Sequence, residues 1–337
     1  MQKKVAIIYN LPSLNRYDML GEQKAVVGVI DSVKAVYRSL DKSKYLVTKI
    51  PLSPPLLKLR DVLARLNVDV IFNLFEGFED NPESEAIVAK ILSELGMVYT
   101  GCSGDVLMLV SDKILAKASL KAAGIATPGY QVLSPDTLSL FNLTYPCIVK
   151  PFGENASHGL VQESVVIDSS QLETQVLRIS RHYGGKALVE EFVGGREFNI
   201  TVWGNSEPSV LPISEIIYSL PPNLPSILTF AAKWEPQSIY FKATKAICPA
   251  KINNDLRSML ETIGISVFRH LHCSGYLRLD FRLNRDGFPE VLDINPNPDI
   301  SPGTGTARQA IAAGMNYNQF IEKIISLALD RKELVHS

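Results

Sequence analysis

The chain opens on an unbroken apolar run, Val5-Ala6-Ile7-Ile8-Tyr9, which reads as a buried first strand. Over residues 22–40 the period changes: Val26, Val29, Ile30, Val33, Val36, Tyr37 and Leu40 fall at helical spacing. Residues 45–52 are β-rich and stop at Pro54-Pro55. Residues 56–66 are amphipathic, 68–74 form a second buried strand, 84–95 a helix ended by Gly96, and 97–100 a short strand. This β-α-β-α-β order predicts a doubly wound parallel sheet with helices on both faces. Ligands of such sheets sit beyond the carboxyl ends of the strands, here residues 10–15 and 73–80. The first of these loops reads Asn10-Leu11-Pro12-Ser13-Leu14-Asn15, with no G-x-G-x-x-G, which disfavours a dinucleotide dehydrogenase.

Further along, a helix is expected from residue 111 to about 124, and Thr127-Pro128 opens a new unit. Strands at 145–151 and 160–167 flank a small-residue loop at 153–159. A helix at 171–183 and a strand at 187–193 complete a small antiparallel α+β lobe. The remainder forms a larger lobe. Its strand signals at 275–283 and 288–294 flank Asn284-Arg285-Asp286-Gly287, a hairpin turn with glycine where φ > 0 is tolerated. A last helix is expected at 318–329.

Composition narrows the function classes. Lys+Arg is 34 and Asp+Glu is 35 in 337 residues, a net charge of −1. Such a balance lacks the cationic surplus that a non-specific nucleic-acid binder needs. The longest apolar stretches, such as residues 68–75, are too short to span a bilayer, so no membrane partner is expected. The first apolar run is too short for a signal-peptide core and no small-residue cleavage site follows it. Cys102, Cys147, Cys248 and Cys273 are scattered with no C-x-x-C pair, which predicts buried thiols in a reducing cytoplasm.

Three features carry candidate chemistry. Lys150 ends an apolar strand and precedes Pro151 and the loop 153–159, whose glycines let backbone N–H groups approach phosphate oxygens. An ordinary inter-strand loop has the same composition. Asp280, Asp293 and Asn295 come together if the two strands of the hairpin pair, since Asp293 and Asn295 share a face. These hard oxygen donors suit Mg2+, and Arg278 on that face would stabilise a transferring phosphoryl group. Leu279, Phe281, Leu292 and Ile294 are expected on the opposite, apolar face; a solvated polar face is the other reading. Glu190 and Glu191 close a strand before Gly194-Gly195-Arg196-Glu197, where carboxylates and edge backbone would read an adenine amino group and a ribose. The pair His270-x-His272 reads as structural. Neither G-x-S-x-G nor G-x-x-x-x-G-K-[ST] is present.

The order of the motifs is more specific than any one of them. Ser111-Asp112-Lys113, Ile148-Val149-Lys150-Pro151, Val189-Glu190-Glu191-Phe192, Gly195-Arg196-Glu197, Arg278-Leu279-Asp280-Phe281 and Asp293-Ile294-Asn295-Pro296 follow one another. This series resembles the ATP-grasp superfamily, and within it the D-alanine–D-alanine ligase family. The resemblance implies an ATP-grasp fold: an N-terminal domain at 1–104, a central lobe at 105–187 and a C-terminal lobe at 188–337, with ATP between the last two. It implies that Lys113, Lys150 and Ser157 contact phosphates, and that Glu190 with the backbone of Phe192 and Val193 holds adenine. Glu197 would hold the ribose, and Asp280, Asp293 and Asn295 would hold Mg2+ or Mn2+. Lys233 would cover the phosphates and Arg278 would face an acyl phosphate, both in catalytic roles. The implied activity is ATP-dependent amide formation between small amino-acid or peptide substrates by a cytoplasmic enzyme, with a homodimer as the analogous assembly. The alternative is an ATP-binding regulatory module without ligase turnover.

The chain departs from the family where the amino acids would bind. The first loop lacks the family's glycines, and no glutamate follows it unless Glu22 serves. Ala156 replaces a serine, Trp234 replaces a tyrosine, and Glu76-Gly77 stands where the family has His-Gly. Beyond Asn295 the family's Pro-Gly segment is rewritten, with Asp299, Ser301 and Thr304 as substrate-side candidates. Glu76, Glu79 and Asp80 would present carboxylates to a cationic substrate group. The nucleotide and metal positions survive and the substrate positions do not, which points to a retained reaction and a changed substrate.

Overall fold

Alternation along the first strand explains the first sheet. In the computed structural model, which describes residues 2–11, 23–42, 44–78, 81–153 and 157–336, β1 (Lys3–Asn10) lies between β2 (Tyr45–Leu52) and β3 (Val70–Leu74), parallel to both. Residues 12–15, Glu22, Glu79, Asp80 and Ala156 lie outside the described residues. Val5 and Ile7 face the helix α1 (Gln23–Ser39), while Ala6 and Ile8 face α2 (Leu59–Ala64) and α3 (Ser84–Glu94). Both faces are buried, which is why the strand reads as continuous apolar sequence.

The expected strand at 97–100 is reduced to a single bridge between Tyr99 and Ile71. The Asn73 N–H donates to the Thr100 hydroxyl at 2.9 Å, so a side chain takes the place of the next backbone rung. The expected helix at 111–124 is two helices, α4 (Gly104–Ser111) and α5 (Lys113–Ala122). Asp112 breaks them: its backbone is extended and its carboxylate accepts from the Ile114 and Leu115 N–H groups, a new N-cap.

The middle sheet has the order β4-β7-β5-β6, all antiparallel: β4 (Tyr130–Leu133), β5 (Cys147–Pro151), β6 (Val165–Val166) and β7 (Ala187–Glu191). α6 (Ser169–His182) covers it with Leu172, Val176 and Ile179. Sequence reading misses β4. It also overextends β6, because the Ser164 hydroxyl accepts from the Val161 N–H and draws residues 162–164 into a 3-10 turn.

The third sheet is antiparallel throughout. Its order is β11-β10-β8-β12-β13, with β9 paired to β8: β8 (Glu197–Gly204), β9 (Ser209–Val210), β10 (Ser214–Tyr218), β11 (Thr244–Ile247), β12 (Gly275–Leu283) and β13 (Pro289–Asn295). Short helices α7 (Phe230–Trp234) and α8 (Ile239–Ala243) precede β11. The long helix α9 (Asn254–His270) packs on β8, and Gly264 permits that approach: a Cβ there would stand 2.4 Å from the tip of Ile200. The turn 284–287 forms as expected, with Gly287 at φ +81°. The thiols of Cys102, Cys147 and Cys273 are buried, and Cys248 is half-buried.

The chain ends with α10 (Gly305–Ala312) and α11 (Tyr317–His336), and α11 returns to the first sheet. Phe320, Ile321, Ile324 and Ile325 pack in one core with Val5, Ile7, Val33, Val36, Val70 and Phe72, and Tyr276 of β12 joins it. The first and third sheets therefore share a continuous core. The middle sheet keeps its own. We expect Phe320→Ala to cost about 3–5 kcal/mol. Urea unfolding should shift as one transition if the terminal helix is integral to the first lobe; an early separate loss of that lobe alone would contradict the shared core.

Candidate active site

The site is built where the middle sheet faces β12 and β13. Along β12, Arg278, Asp280 and Arg282 alternate onto one face, away from the buried Leu279 and Phe281. Asp280 stands opposite Asp293, and Arg278 opposite Asn295, across the antiparallel pair. The expected apolar face is corrected at one residue. The register slips after Asp280, so that Phe281 pairs with Val291 and Leu292 is the extra residue of a bulge. Val291, not Leu292, fills the core beneath.

Arg278 grips Asp280 in a fork, Nε to Oδ1 and the second nitrogen to Oδ2, both at 3.1 Å. Asn199 on β8 adds a 3.0 Å hydrogen bond to Oδ1. Burial opposes the Arg278 charge, but Asp280, Asp293 and Asp299 outweigh it and hold its pKa above the ordinary value. Arg282 plays a positioning part. Its Nε and one terminal nitrogen donate to Oε2 of Glu197 at 2.9 and 2.6 Å, and its other nitrogen to the Val193 carbonyl at 2.9 Å. The Tyr218 hydroxyl donates to the same Glu197 oxygen at 2.7 Å. Gly195 lets the chain entering β8 come close to the end of β12, since a Cβ there would meet the Leu283 carbonyl oxygen at 2.0 Å.

Facing this surface is a buried charge cluster. Glu190 on β7 is 1% exposed and receives Lys117 from α5 at 2.5 Å and Lys150 from β5 in a second ion pair. Burial disfavours the Glu190 carboxylate, but the two ammonium groups overcome it and bring its pKa down to about 2. The same attraction, aided by Asp293, outweighs burial and keeps the Lys150 pKa raised. Lys117 also donates to the Thr127 hydroxyl at 2.8 Å, which donates to the Val291 carbonyl at 2.8 Å. The cluster is thus tied to β13.

α7 lies against both surfaces. Its Phe230 stacks on buried His158, with centroids 5.6 Å apart, and Trp234 comes within 3.8 Å of where a Cβ of Gly28 on α1 would stand. Burial and the Arg278 guanidinium lower the Lys233 pKa, against the pull of Asp280, Asp293 and Glu197. Lys233, Arg278, Asp280, Asp293 and Glu197 therefore share one electrostatic neighbourhood, and Lys150 shares it through Asp293.

Residues 120–326 match the sequence family described as D-ala D-ala ligase C-terminus. The chain belongs to the D-alanine–D-alanine ligase family. It is an ATP-dependent ligase of that family. An uncharacterized protein of Sinorhizobium fredii, y4sG, is 34% identical over 268 residues, covering 80% of this chain and 76% of that one. The D-alanine–D-alanine ligase of Halalkalibacterium halodurans is 28% identical over 97% of this chain and 100% of its own length. The Bacillus anthracis D-alanine–D-alanine ligase, solved in complex with ATP, superposes with a TM-score of 0.74 at 20% identity, covering 99% of both chains. That likeness bears out the ATP-grasp fold.

Within the family frame, the positions expected from sequence fall into two groups. Lys150, Lys233, Glu197, Arg278, Asp280, Asp293 and Asn295 converge on the cleft. Others have partners of their own. Glu190 is held by two lysines, the Phe192 N–H donates to the Pro146 carbonyl at 2.8 Å, and the Val193 carbonyl takes Arg282. Lys113 begins α5, one turn before Lys117, and Ser157 sits at φ +66° in the loop over β5. On the substrate side, the Thr304 hydroxyl lies 2.9 and 2.8 Å from the carbonyls of Asp299 and Ser301, which engages it structurally. Ser301 is paired with Ser32 of α1 at 2.6 Å. Sequence reading missed Lys117, Arg282 and Ser32. The i,i+4 spacing of Lys113 and Lys117 and the 278–280–282 alternation carry signals for the first two; Ser32 carries none.

Among the described residues no three His, Cys, Asp or Glu side chains gather as a metal cluster, and no helix is long and apolar enough to cross a membrane. We expect Glu190→Gln to cost about 3–5 kcal/mol at pH 7, because two ammonium groups lose their buried counter-ion. Glu190 has a folded pKa below its unfolded value, so its contribution is complete above about pH 4.5 and is lost toward pH 2. Denaturant titrations should show the variant and parent converging over that acid range; equal stabilities at pH 7 would contradict the pairing.

Proposed function

We propose that this ligase phosphorylates the carboxylate of one small amino-acid-like substrate and joins it to the amine of another. The observation that carries this reading is the convergence of Lys150, Lys233 and Arg278 on the oxygen-donor face of Asp280, Asp293 and Asn295. That set contains only hard oxygens, two of them carboxylates, and suits Mg2+ or Mn2+. A divalent ion held there would neutralise charge on the ATP phosphates.

The chain's own groups account for the rest. Glu190 holds Lys117 and Lys150 in ion pairs until phosphate oxygens offer competing anions. Glu197 is fixed through Oε2 by Arg282 and Tyr218, which leaves Oε1 for a ribose hydroxyl. The Val193 N–H and Phe192 carbonyl, without hydrogen bonds among the described residues, support base recognition. The carboxylate oxygen attacks the γ-phosphorus, the bond to ADP breaks, and an acyl phosphate forms. The amine nitrogen then attacks the acyl carbon, phosphate leaves and the nitrogen loses a proton. Arg278 would stabilise the charge in both steps, and the α7 segment would exclude water.

The lobes expected at 1–104, 105–187 and 188–337 fit the three sheets if the second boundary moves from 187 to about 191, since β7 belongs to the middle sheet. The resemblance alone supports a homodimer, which light scattering would test. Asp293→Asn should lower amino-acid-dependent ADP release about 100-fold or more while the protein stays folded. A coupled ADP assay over paired amino acids checks this. ATP binding without amino-acid-dependent ADP release by the parent would contradict the ligase reading.

A further inference from the structure

A second cluster of charge lies within electrostatic range of Arg278 through Asp299. Glu76 follows β3 and is exposed, Glu85 stands in the first turn of α3, and Asp299 follows β13. Their hydrogen-bond partners are neutral. The Asn297 amide donates to Glu85 at 2.9 Å, and the Ser301 N–H donates to Asp299 at 2.8 Å, with the Ser32 hydroxyl 3.3 Å away. Among the described residues none of the three carboxylates has an ion pair with lysine, arginine or histidine. Arg278 is within electrostatic range of Asp299 but is committed to Asp280.

A buried hydroxyl near this cluster is also unsatisfied. Tyr276 is 1% exposed, and its hydroxyl is buried without a hydrogen-bond partner; the Tyr317 hydroxyl is in the same condition. The Tyr276 hydroxyl lies within electrostatic range of Glu85, Asp299 and Tyr317. Natural interiors satisfy buried polar atoms, so an orphan hydroxyl within electrostatic range of Glu85 and Asp299 points to a partner outside the described residues. Beside carboxylates that have no cation among the described residues, a donor-only group such as an ammonium fits carboxylates and hydroxyl lone pairs alike.

We propose that this pocket binds the positively charged side chain of one of the two joined amino acids, so that the substrate class is a diamino acid rather than an alanine-sized one. The proposal rests on the ligase reading above. Arg278, which keeps its fork on Asp280, lies within electrostatic range of Asp299 and would face the carboxylate end of the same molecule. The carboxylates behave accordingly: desolvation by the surrounding protein, with repulsion from Asp299 and Glu85, raises the Glu76 pKa, and burial brings Glu85 up to about 7 despite Asn297. A bound cation would displace those protons.

Calorimetry without turnover tests this. The protein, saturated with a non-hydrolysable ATP analogue and Mg2+, is titrated with ornithine and with norvaline, its uncharged analogue, both enantiomers of each. We expect at least one ornithine enantiomer to bind tenfold or more tightly than norvaline, with net proton release at pH 7 seen across buffers of different ionisation enthalpy. The double variant Glu76→Gln, Glu85→Gln should lose both the preference and the proton release while its affinity for the ATP analogue is unchanged. Equal affinities for ornithine and norvaline, no binding of either, or an unchanged preference in the variant would overturn the proposal. Absence of amino-acid-dependent ADP release with ornithine still bound would instead count against the ligase reading and leave the pocket standing.

Discussion

A single buried carboxylate constrains the arrangement of the cleft. Glu190 holds Lys117 and Lys150 from two other elements, and without it two ammonium groups would face each other in a low-dielectric interior. The pairing fixes α5, β5 and β7 relative to one another. Through Thr127 and Val291 it also fixes them relative to β13. The cost of desolvating three charges is offset only because they are paired. This makes the cluster a poor device for stability alone and a good one for keeping two cations aimed at a cleft.

The packing around that cluster divides the molecule unevenly. The first and third sheets share a core through the terminal helix and Tyr276, whereas the middle sheet and α6 close on themselves. Contact between the two parts is carried by the charge cluster and by the small apolar group around α7 that includes Ile148, Val165 and Phe192. One side of the cleft is therefore a rigid oxygen-donor face and the other a separately cored sheet bearing cations. Phosphoryl transfer depends chiefly on positioning and charge, and such a division supplies both.

Much of this was legible in the residues. The unbroken apolar run of β1, the helical spacing after it, and the hairpin with its 284–287 turn all follow from local pattern. So does the polar face of Arg278, Asp280, Asp293 and Asn295, since it needs only strand alternation and one turn. What escaped was decided by side chains reaching the backbone. Thr100 ended a sheet, Asp112 split a helix, and Ser164 shortened a strand. The bulge that turned Leu292 out of the core has no signature in its own sequence. Glu190 reads as a base contact because its lysines lie 73 and 40 positions away along the chain, beyond the reach of any local pattern. The pocket of Glu76, Glu85 and Asp299 was seen only in part, for Glu85 reads as an ordinary first-turn helix residue.

The most direct measurement is a crystal structure with a non-hydrolysable ATP analogue and Mg2+. The arrangement predicts the triphosphate between Lys150 and the face of Asp280, Asp293 and Asn295, with the ion on those three residues and Lys150 turned from Glu190 toward phosphate. A nucleotide bound instead beyond the carboxyl ends of β1 and β3, with the Lys117–Glu190–Lys150 cluster untouched and no ion on β12 and β13, would contradict it.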